Sequence, residues 1–492
     1  MIQHKPQTSF LSESEVIEKS QWLPITLILL LATSLYFYQI GTESFWIDEL
    51  YSVHDAKAIT SNLNSTRPVY FLLLHFWMIF GSSDIWLRSL SVLLSLGGIF
   101  LIYVLGCRVA DKPTGLLAAL LMTLSPIFIN HAQEVRMYAL SNFLGLAGTL
   151  ALVALMEKFT PVSLIGWSSA RILAFLTAQL NILLLLPDCC LLMWKLRRQR
   201  RLWLTLGGVF LFLAIVSLPW TWNMVNASLA YFDEWGTSQN RPGLTQILSR
   251  LTIYTAYWPL QSLNSGVSMH FYKLYTVMLL GLLSFGLLIR WRSSKLLWIA
   301  TWTFLPTAAV LIFSWLVQPI WLPRYLLFVA PYLLILLSAG FIQVWRSQRK
   351  LAFILAFIYL VAVGGGLEHY YTKVYREDWR GVAQLISANE EPGDVIALDL
   401  HFRRSQIALT HYYNGSSPIY VLENGEFSQL PKPQSRLWLV HLDPSDKVGE
   451  FETVVRNEFE VEKHQTFKNE IGWELSINVF LATPKPTTLT PS

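Results

Sequence analysis

The sequence is poor in charged residues and in cysteine. Only 14% of its 492 residues are Asp, Glu, Lys or Arg, whereas a typical soluble domain has about 25%. The three cysteines, Cys107, Cys189 and Cys190, lie in or beside apolar segments, which excludes a disulfide framework and a zinc site. The sequence also lacks internal repeats and a glycine-rich phosphate loop. The deficit of charge indicates that lipid replaces water around much of the surface.

The sequence is correspondingly rich in apolar and aromatic residues. The chain is 53% hydrophobic and contains 20 Trp, 20 Tyr and 28 Phe, an abundance typical of rings that settle at membrane interfaces. The net charge of +5 comes from short basic clusters between apolar runs, which indicate membrane topology and not a nucleic-acid-binding face. No cleavable signal peptide is evident, because the first apolar run begins near Trp22 and no small-residue cleavage site follows it.

Runs of about twenty apolar residues predict membrane spans. The stretch 163–194 fits one span or two, and the dense basic connection 195–201 decides between them, because two spans broken near Gln179 place it in the cytoplasm. We therefore predict about eleven spans, a cytoplasmic N-terminus and a C-terminus outside. The other nine predicted spans are 22–40, 84–106, 114–130, 137–156, 202–222, 271–290, 296–316, 324–345 and 351–368.

The predicted fold is an α-helical polytopic membrane protein with a small C-terminal α/β domain. Its predicted parts are a cytoplasmic tail (1–20), a transmembrane domain (21–369) and an extracytoplasmic domain (370–492). Two long segments, 41–83 and 223–270, are expected outside, and 69–80 is predicted as an interfacial helix because it is too short to span. In the last domain Asp378 is a predicted helix N-cap. Strands are predicted at 395–398, 419–422, 436–442 and 473–482, and helices at 405–413 and 446–459.

Two opposite charges fall deep inside the predicted hairpin of 163–194. Arg171 and Asp188 are equidistant from a break near Gln179, so both are expected at a similar depth. An unpaired charge there costs at least about 2.5–3.5 kcal/mol, and we predict that the two residues pair. The alternatives are that Arg171 faces another span, or that Asp188 lies near the cytoplasmic end of its helix, where water reaches it.

Three polar clusters fall on the non-cytoplasmic face under this topology. The first follows span 1 and contains two adjacent acids, Asp48 and Glu49, which are costly to desolvate at a lipid interface. The second forms the turn after span 114–130, and the third stands where span 324–345 begins. Each cluster alone could merely cap or anchor a helix, but all three share one face. The candidates in the second and third clusters are His131, Gln133, Glu134, Arg136, Tyr138, Arg324 and Tyr325.

These residue types suit the transfer of a sugar from a polyprenyl phosphate. A carboxylate is needed to accept the proton of the acceptor hydroxyl as its oxygen attacks the anomeric carbon. Cations are needed to stabilise the departing phosphate, which leaves as an anion and requires no acid. Aspartate is ordinarily ionised at neutral pH, so Asp48 is the candidate base, with Arg136 and Arg324 as candidates for the phosphate. One base opposite one leaving group predicts inversion at the anomeric carbon.

Five motifs distributed over most of the chain carry a family resemblance. They are Asp48-Glu49, Pro68-Val-Tyr-Phe-Leu-Leu-Leu-His75-Phe-Trp77, Ser125-Pro126 followed by Gln133-Glu134-Val-Arg136-Met-Tyr138, Pro323-Arg324-Tyr325, and Asp378-Trp379-Arg380. Together they resemble the superfamily of polytopic glycosyltransferases that includes the protein O-mannosyltransferases and the lipid A aminoarabinose transferases. The resemblance implies the GT-C fold with roughly eleven to thirteen spans, a lipid-linked sugar donor, and a catalytic acid in the first outside loop. That acid corresponds to Asp48, with Glu49 beside it.

The sequence departs from this family at three positions. Members commonly have His-Pro-Pro before the interfacial helix, whereas this chain has Thr66-Arg67-Pro68, which makes Arg67 a candidate for binding donor or acceptor. A Tyr-Thr-His-like tip is replaced by 176–179, and His131 stands where an aromatic residue is usual. His131 is therefore either a site residue or a helix cap.

The expected partners are a lipid-linked sugar donor, membrane lipids and an acceptor protein, lipid or glycan, with no nucleic acid. The expected location is the cell (inner) membrane. A divalent cation near Asp48 is conceivable, and the sequence does not decide its presence. The rival enzyme class is an O-antigen ligase or polymerase, for which Arg241, Arg250 and His270 in the second outside segment are thin support. The rival without enzymatic activity is a lipid or glycan transporter, although transporters tend to show internal repeats.

Overall fold

The computed structural model of the chain is a bundle of helices followed by a small mixed sheet. It describes residues 13–59, 67–196, parts of 207–222, 241–256, 266–289, 294–400, 406–422, 436–444, 448–469 and 475–485. The helices up to the hairpin are α1 (Glu13–Phe37), α2 (Ile47–Lys57), α3 (Pro68–Met78), α4 (Asp84–Val109), α5 (Lys112–Leu124), α6 (Pro126–Ala132), α7 (Tyr138–Glu157), α8 (Pro161–Thr177) and α9 (Leu185–Leu196).

The second half of the membrane part continues in the same way. Its helices are α10 (Leu244–Ile253), α11 (Gly266–Ile289), α12 (Ser294–Leu316), α13 (Ala330–Ser347) and α14 (Arg349–Thr372), and short 3-10 helices cover Gln179–Leu184 and Pro323–Leu326. In the described part of the chain, five helices are long and apolar enough to cross a membrane: 84–109, 138–157, 268–288, 295–316 and 349–372. The predicted total of eleven spans remains a prediction, and much of the predicted span 202–222 lies outside the described residues.

Two predicted spans are not continuous α-helices, and proline explains both breaks. The span 114–130 is not one helix, because α5 ends before Ser125 and α6 begins at Pro126 with a bend of 66°. Proline has no N–H to continue the ladder, and it pushes the residue before it out of the helical region. The span predicted from residue 324 becomes an α-helix only at Ala330, after the 3-10 turn that Pro323 opens.

The two ends of helix α4 carry different charged contacts. Arg88, near its start, bonds to Glu49, while Arg108, near its last turn, pairs with Glu157. At 1.5 Å per residue these two arginines are about 30 Å apart, which equals the thickness of a bilayer's hydrocarbon core. Lys295 joins Glu157 at the basic end. Residues that we expect in the cytoplasm therefore gather at one end, and the candidate site lies at the other.

Helix α3 occupies most of the predicted interfacial segment. Tyr70, Phe71 and Leu74 are buried against the bundle, whereas Leu72 and Phe76 are exposed. The apolar exposure continues into 79–80 after the helix ends. An eleven-residue helix with one apolar face exposed is suited to lie in the membrane interface.

The predicted pairing of Arg171 with Asp188 is confirmed. The break in 163–194 is the 3-10 helix Gln179–Leu184, and Arg171 Nε donates to Asp188 Oδ2 over 2.6 Å. The indole N–H groups of Trp167 and Trp302 donate to the same carboxylate over 2.8 and 2.7 Å. Arg171 in turn donates to Gly145 O and to the Thr149 hydroxyl. The pair and its hydrogen-bond partners thus connect four helices.

The C-terminal part is a small α/β unit, as predicted. Its helices are α15 (Trp379–Asn389), α16 (Gln406–Tyr412) and α17 (Val448–Glu458), and its strands are β1 (Val395–Leu400), β2 (Ile419–Leu422), β3 (Leu437–Pro444), β4 (Phe459–Lys468) and β5 (Leu475–Pro484). The sheet order is β2-β1-β3-β5-β4, in which β1 runs parallel to β2 and β3 while β5 is antiparallel to its neighbours. Asp378 caps α15 by accepting from Gly381 N, as predicted, and Trp379 is buried.

The α/β unit is bonded to the loop after α1. Arg380 donates to Asp84 Oδ2 over 2.6 Å, and the Tyr412 hydroxyl donates to the same oxygen over 2.8 Å. The Ser44 hydroxyl donates to Asp378 Oδ1, and Phe45 N donates to the Tyr412 hydroxyl. The loop after α1 is therefore bonded both to α4 and to the C-terminal unit.

Candidate active site

Glu49 anchors the first outside loop to α4. Arg88 holds it with two bonds, from Nε to Oε1 over 2.9 Å and from Nη2 to Oε2 over 2.8 Å. Val135 N and Trp46 N also donate to the carboxylate. Both members of the ion pair are completely buried. All of these bonds leave Glu49 little capacity for substrate, so it positions the start of α2 and the turn between α6 and α7.

Asp48, one residue earlier, has different surroundings. Its side chain is 26% exposed, Arg136 Nη2 lies 3.3 Å from its Oδ2, and Arg324 Nη1 lies 3.9 Å from the same oxygen. Arg136 also donates to the backbone carbonyl of Asp48 over 2.9 Å. The three predicted clusters therefore meet at one carboxylate. Of these two adjacent acids, Glu49 is thus a buried anchor and Asp48 is accessible.

Further cationic and aromatic residues surround this group. Burial, followed by the nearby Arg136 guanidinium, lowers the pKa of Arg67, and Tyr138, Asp48 and Tyr325 belong to the same electrostatic neighbourhood. The Arg324 guanidinium lies 5.4 Å from the centre of the Tyr325 ring.

Guanidinium groups gather around Asp48. Arg136 and Arg324 lie within 4 Å of its carboxylate, Arg67 interacts with it electrostatically, and the buried Arg136 Nε has no hydrogen-bond partner among the described residues. An excess of guanidinium groups with a donor left over suits an anion of phosphate type. This arrangement gives no support to a divalent cation near Asp48, which the sequence had left open. The described residues also contain no group of three or more His, Cys, Asp or Glu side chains that could hold a metal ion.

Three residues of the second cluster support the site from behind. His131 Nδ1 lies 2.9 Å from Glu134 Oε2, and Asn130 donates to the other oxygen of Glu134 over 2.8 Å. Burial opposes the ionisation of Glu134, but His131, Arg376 and Arg136 outweigh it and lower the pKa of its carboxyl to about 2. Gln133 donates to the carbonyls of residues 36 and 38 at the end of α1. These side chains hold the turn that presents Arg136.

The structure therefore sorts the predicted candidates into two groups. The first group surrounds the Asp48 carboxylate: Asp48, Arg67, Arg324 and Tyr325 are partly exposed, and Arg136 and Tyr138 are buried. The second group consists of the buried supports Glu49, His131, Gln133 and Glu134. Arg88, Arg376 and Glu377 adjoin the site but were not among the candidates from sequence. Arg88 lies within an apolar span, and that position was the only available signal, since a buried charge in a span needs a partner.

A separate cleft lies between the first outside loop and the C-terminal unit. It encloses about 380 Å³ and is lined by Lys57, Asp84 and His411 among others. Lys57 and Asp48 stand at opposite ends of α2, about 13 Å apart along its axis. The cleft is therefore distinct from the arginine-rich group around Asp48.

Comparison with known proteins supports a fold and no closer relation. No family model matches the chain, and no curated protein matches it in sequence. ArnT from Cupriavidus metallidurans bound to undecaprenyl phosphate superposes with a TM-score of 0.55 at 13% identity, covering 92% of this chain and 97% of that one. The oligosaccharyltransferase AglB from Archaeoglobus fulgidus, in complex with an inhibitory peptide and a dolichol-phosphate, gives 0.53 at 11% identity, covering 95% and 76%. The chain thus has the polytopic membrane fold of these GT-C proteins, as its sequence motifs predict.

Proposed function

We propose that the protein is an inverting glycosyltransferase that moves a sugar from a polyprenyl-phosphate donor to an acceptor on the non-cytoplasmic face of the membrane. The observation that carries the proposal is the meeting of Asp48 with Arg136 and Arg324, which come from three distant parts of the chain. An accessible carboxylate beside an excess of guanidinium groups is what this reaction requires. The neighbours of similar fold include proteins in complex with undecaprenyl phosphate and with a dolichol-phosphate.

The proposed reaction is a single displacement at the anomeric carbon. The acceptor oxygen forms the new bond to that carbon as its proton passes to the Asp48 carboxylate. The bond from the anomeric carbon to the phosphate oxygen breaks, and its electron pair leaves with the phosphate. Arg136 and Arg324, with Arg67 close by, stabilise the charge that develops on the leaving group. Attack opposite the leaving group inverts the anomeric configuration.

The proposed orientation follows from the distribution of charge. Basic residues such as Arg108 and Lys295 gather at one end of α4, and the positive-inside rule assigns that end to the cytoplasm. The site of Asp48 and the C-terminal α/β unit then face away from the cytoplasm. In a bacterial cell this places the reaction on the outer side of the inner membrane. The domain limits 1–20, 21–369 and 370–492 belong to the same proposal.

The direct test is a transfer assay with defined donors. Membranes containing the protein are supplied with a panel of radiolabelled polyprenyl-phosphate sugars, and the transfer of label from each donor to an acceptor is measured. Transfer from at least one donor, absent from membranes that carry Asp48→Asn, supports the proposal. If vesicles move a labelled lipid or glycan across the bilayer without covalent transfer, the transporter alternative is correct instead.

A further inference from the structure

The short connection between α14 and α15 passes the candidate site. Its residue Arg376 lies 3.5 Å from Glu43 and 3.7 Å from Glu49, and donates to Gln133 O over 3.2 Å. Asp378 is fixed by the Ser44 hydroxyl and by Gly381 N, both over 2.9 Å. The residues on both sides of Glu377 are therefore held by the first outside loop and the α6–α7 turn.

Glu377 itself is bonded differently from these two neighbours. Its Oε2 is buried, yet it has no hydrogen-bond partner in the part of the chain that the structure describes. Buried carboxylate oxygens are rarely left unpaired in proteins. Burial is the largest cause that raises the pKa of Glu377, and the negative charges of Asp48 and Glu43 raise it further, against a hydrogen bond from its own backbone and the positive charge of Arg376. Glu377 thus shares the electrostatic environment of Asp48.

Charge limits which chemical groups could be the hydrogen-bond partner of Glu377 Oε2. A phosphate would be repelled by the carboxylate of Glu377, and guanidinium groups for a phosphate are already present on the other side of Asp48. When it is ionised, Oε2 only accepts hydrogen bonds, so its partner then carries an O–H or N–H group. Saccharides supply hydroxyl groups at high density.

We propose that Glu377 is a substrate-binding residue that accepts a hydrogen bond from a hydroxyl group of a saccharide in the site beside Asp48. The saccharide is either the transferred sugar or the acceptor, which share this chemistry. The inference rests on the proposed glycosyl transfer and adds a second acid, supplied from the connection to the α/β unit.

The test compares Glu377→Gln with wild type and with a matched control, Glu460→Gln. The side chain of Glu460 is exposed on β4, and it forms no hydrogen bond with the described residues. Binding of undecaprenyl phosphate and of an undecaprenyl-phosphate sugar is measured on the purified full-length chain. The KM for the acceptor and kcat are then determined with the donor that wild type uses.

We expect Glu377→Gln to bind bare undecaprenyl phosphate as wild type does. We further expect it to lose about 10- to 100-fold in one saccharide-dependent quantity, the range for a hydrogen bond to a charged group. A loss in affinity for the sugar-bearing lipid assigns Glu377 to the transferred sugar, and a rise in acceptor KM assigns it to the acceptor. The Glu460→Gln control should match wild type throughout.

Thermal melting separates this role from a structural one. Because the pKa of Glu377 is raised in the folded protein, its carboxyl opposes folding increasingly as pH rises above the unfolded value. Glu377→Gln removes this effect, so it should melt at or above the wild-type temperature at pH 7.

Three results would overturn the proposal: unchanged saccharide binding and turnover, an equal loss for bare undecaprenyl phosphate, or a lower melting temperature at pH 7. If instead wild type neither binds undecaprenyl phosphate nor transfers sugar, the proposed function fails first.

Discussion

The buried pair of Arg171 and Asp188 permits a sharp test of how the membrane part is stabilised. Asp188 accepts four hydrogen bonds, two from Arg171 and one each from Trp167 and Trp302. Removing one member of a buried ion pair typically costs about 3–5 kcal/mol, since the other charge is left uncompensated. The perturbations are Arg171→Leu, Asp188→Leu and the double variant.

The two single variants should not be equal. In Asp188→Leu the guanidinium cannot lose its charge, and two buried indole N–H groups also lose their acceptor, each at about 1–3 kcal/mol. We therefore expect a cost at or above about 5 kcal/mol. In Arg171→Leu the carboxyl keeps both indole donors and can take up a proton, so a cost of about 3 kcal/mol is expected.

The destabilisation of the double variant should be smaller than the summed destabilisation of the two single variants by about 2 kcal/mol or more. The reason is that the double variant removes both charges and leaves neither one unpaired. The assay is equilibrium unfolding of the purified chain in detergent, together with its accumulation in membranes. Trp167→Phe and Trp302→Phe serve as controls for the indole contribution. Additive losses, or a milder effect of Asp188→Leu than of Arg171→Leu, would refute this account of the pair.

Three further predictions concern the candidate site and its orientation. Glu49→Gln should lower the melting temperature, because it leaves the buried Arg88 charge without its partner at a cost of about 3–5 kcal/mol; unchanged melting would show that Glu49 is not an anchor. A reporter active only outside the cytoplasm should be active when fused after Ser492 and silent after Arg198, and the reverse pattern would contradict the topology. The pKa of Glu134 is lower in the folded protein, so its contribution to stability is complete above about pH 4.5 and is lost as pH falls towards about 2. Glu134→Gln should therefore reduce the fall in melting temperature between these pH values, and an unchanged fall would contradict this role of Glu134.

Much of the architecture could be predicted because its signals are local. Apolar length indicated most of the long helices, and the density of basic residues in 195–201 correctly divided 163–194 into a hairpin. The cap at Asp378 and four of the five strands followed from turn residues and alternating apolar positions. Strand β4 was missed because its sequence, FEVEKHQTFK, is mostly polar, as suits an edge strand that is largely exposed.

The different roles of the adjacent acids Asp48 and Glu49 could not be predicted from the sequence. Asp48 and Glu49 are adjacent in the first turn of α2, and the partner that buries Glu49 is 39 residues away in α4. In the same way, Glu377 carries no motif of its own, and its position depends on how the neighbouring Arg376 is held by Glu49 and Gln133. Contacts between segments distant in sequence decide these roles.

The central claim is that Asp48 is the general base of sugar transfer beside a phosphate held by arginines. The most direct measurement is the turnover of Asp48→Asn with the donor and acceptor that wild type uses, alongside its affinity for undecaprenyl phosphate. The account predicts that kcat falls by about 10²- to 10⁴-fold while the protein still accumulates and binds the lipid phosphate. Near wild-type turnover of Asp48→Asn would contradict the claim.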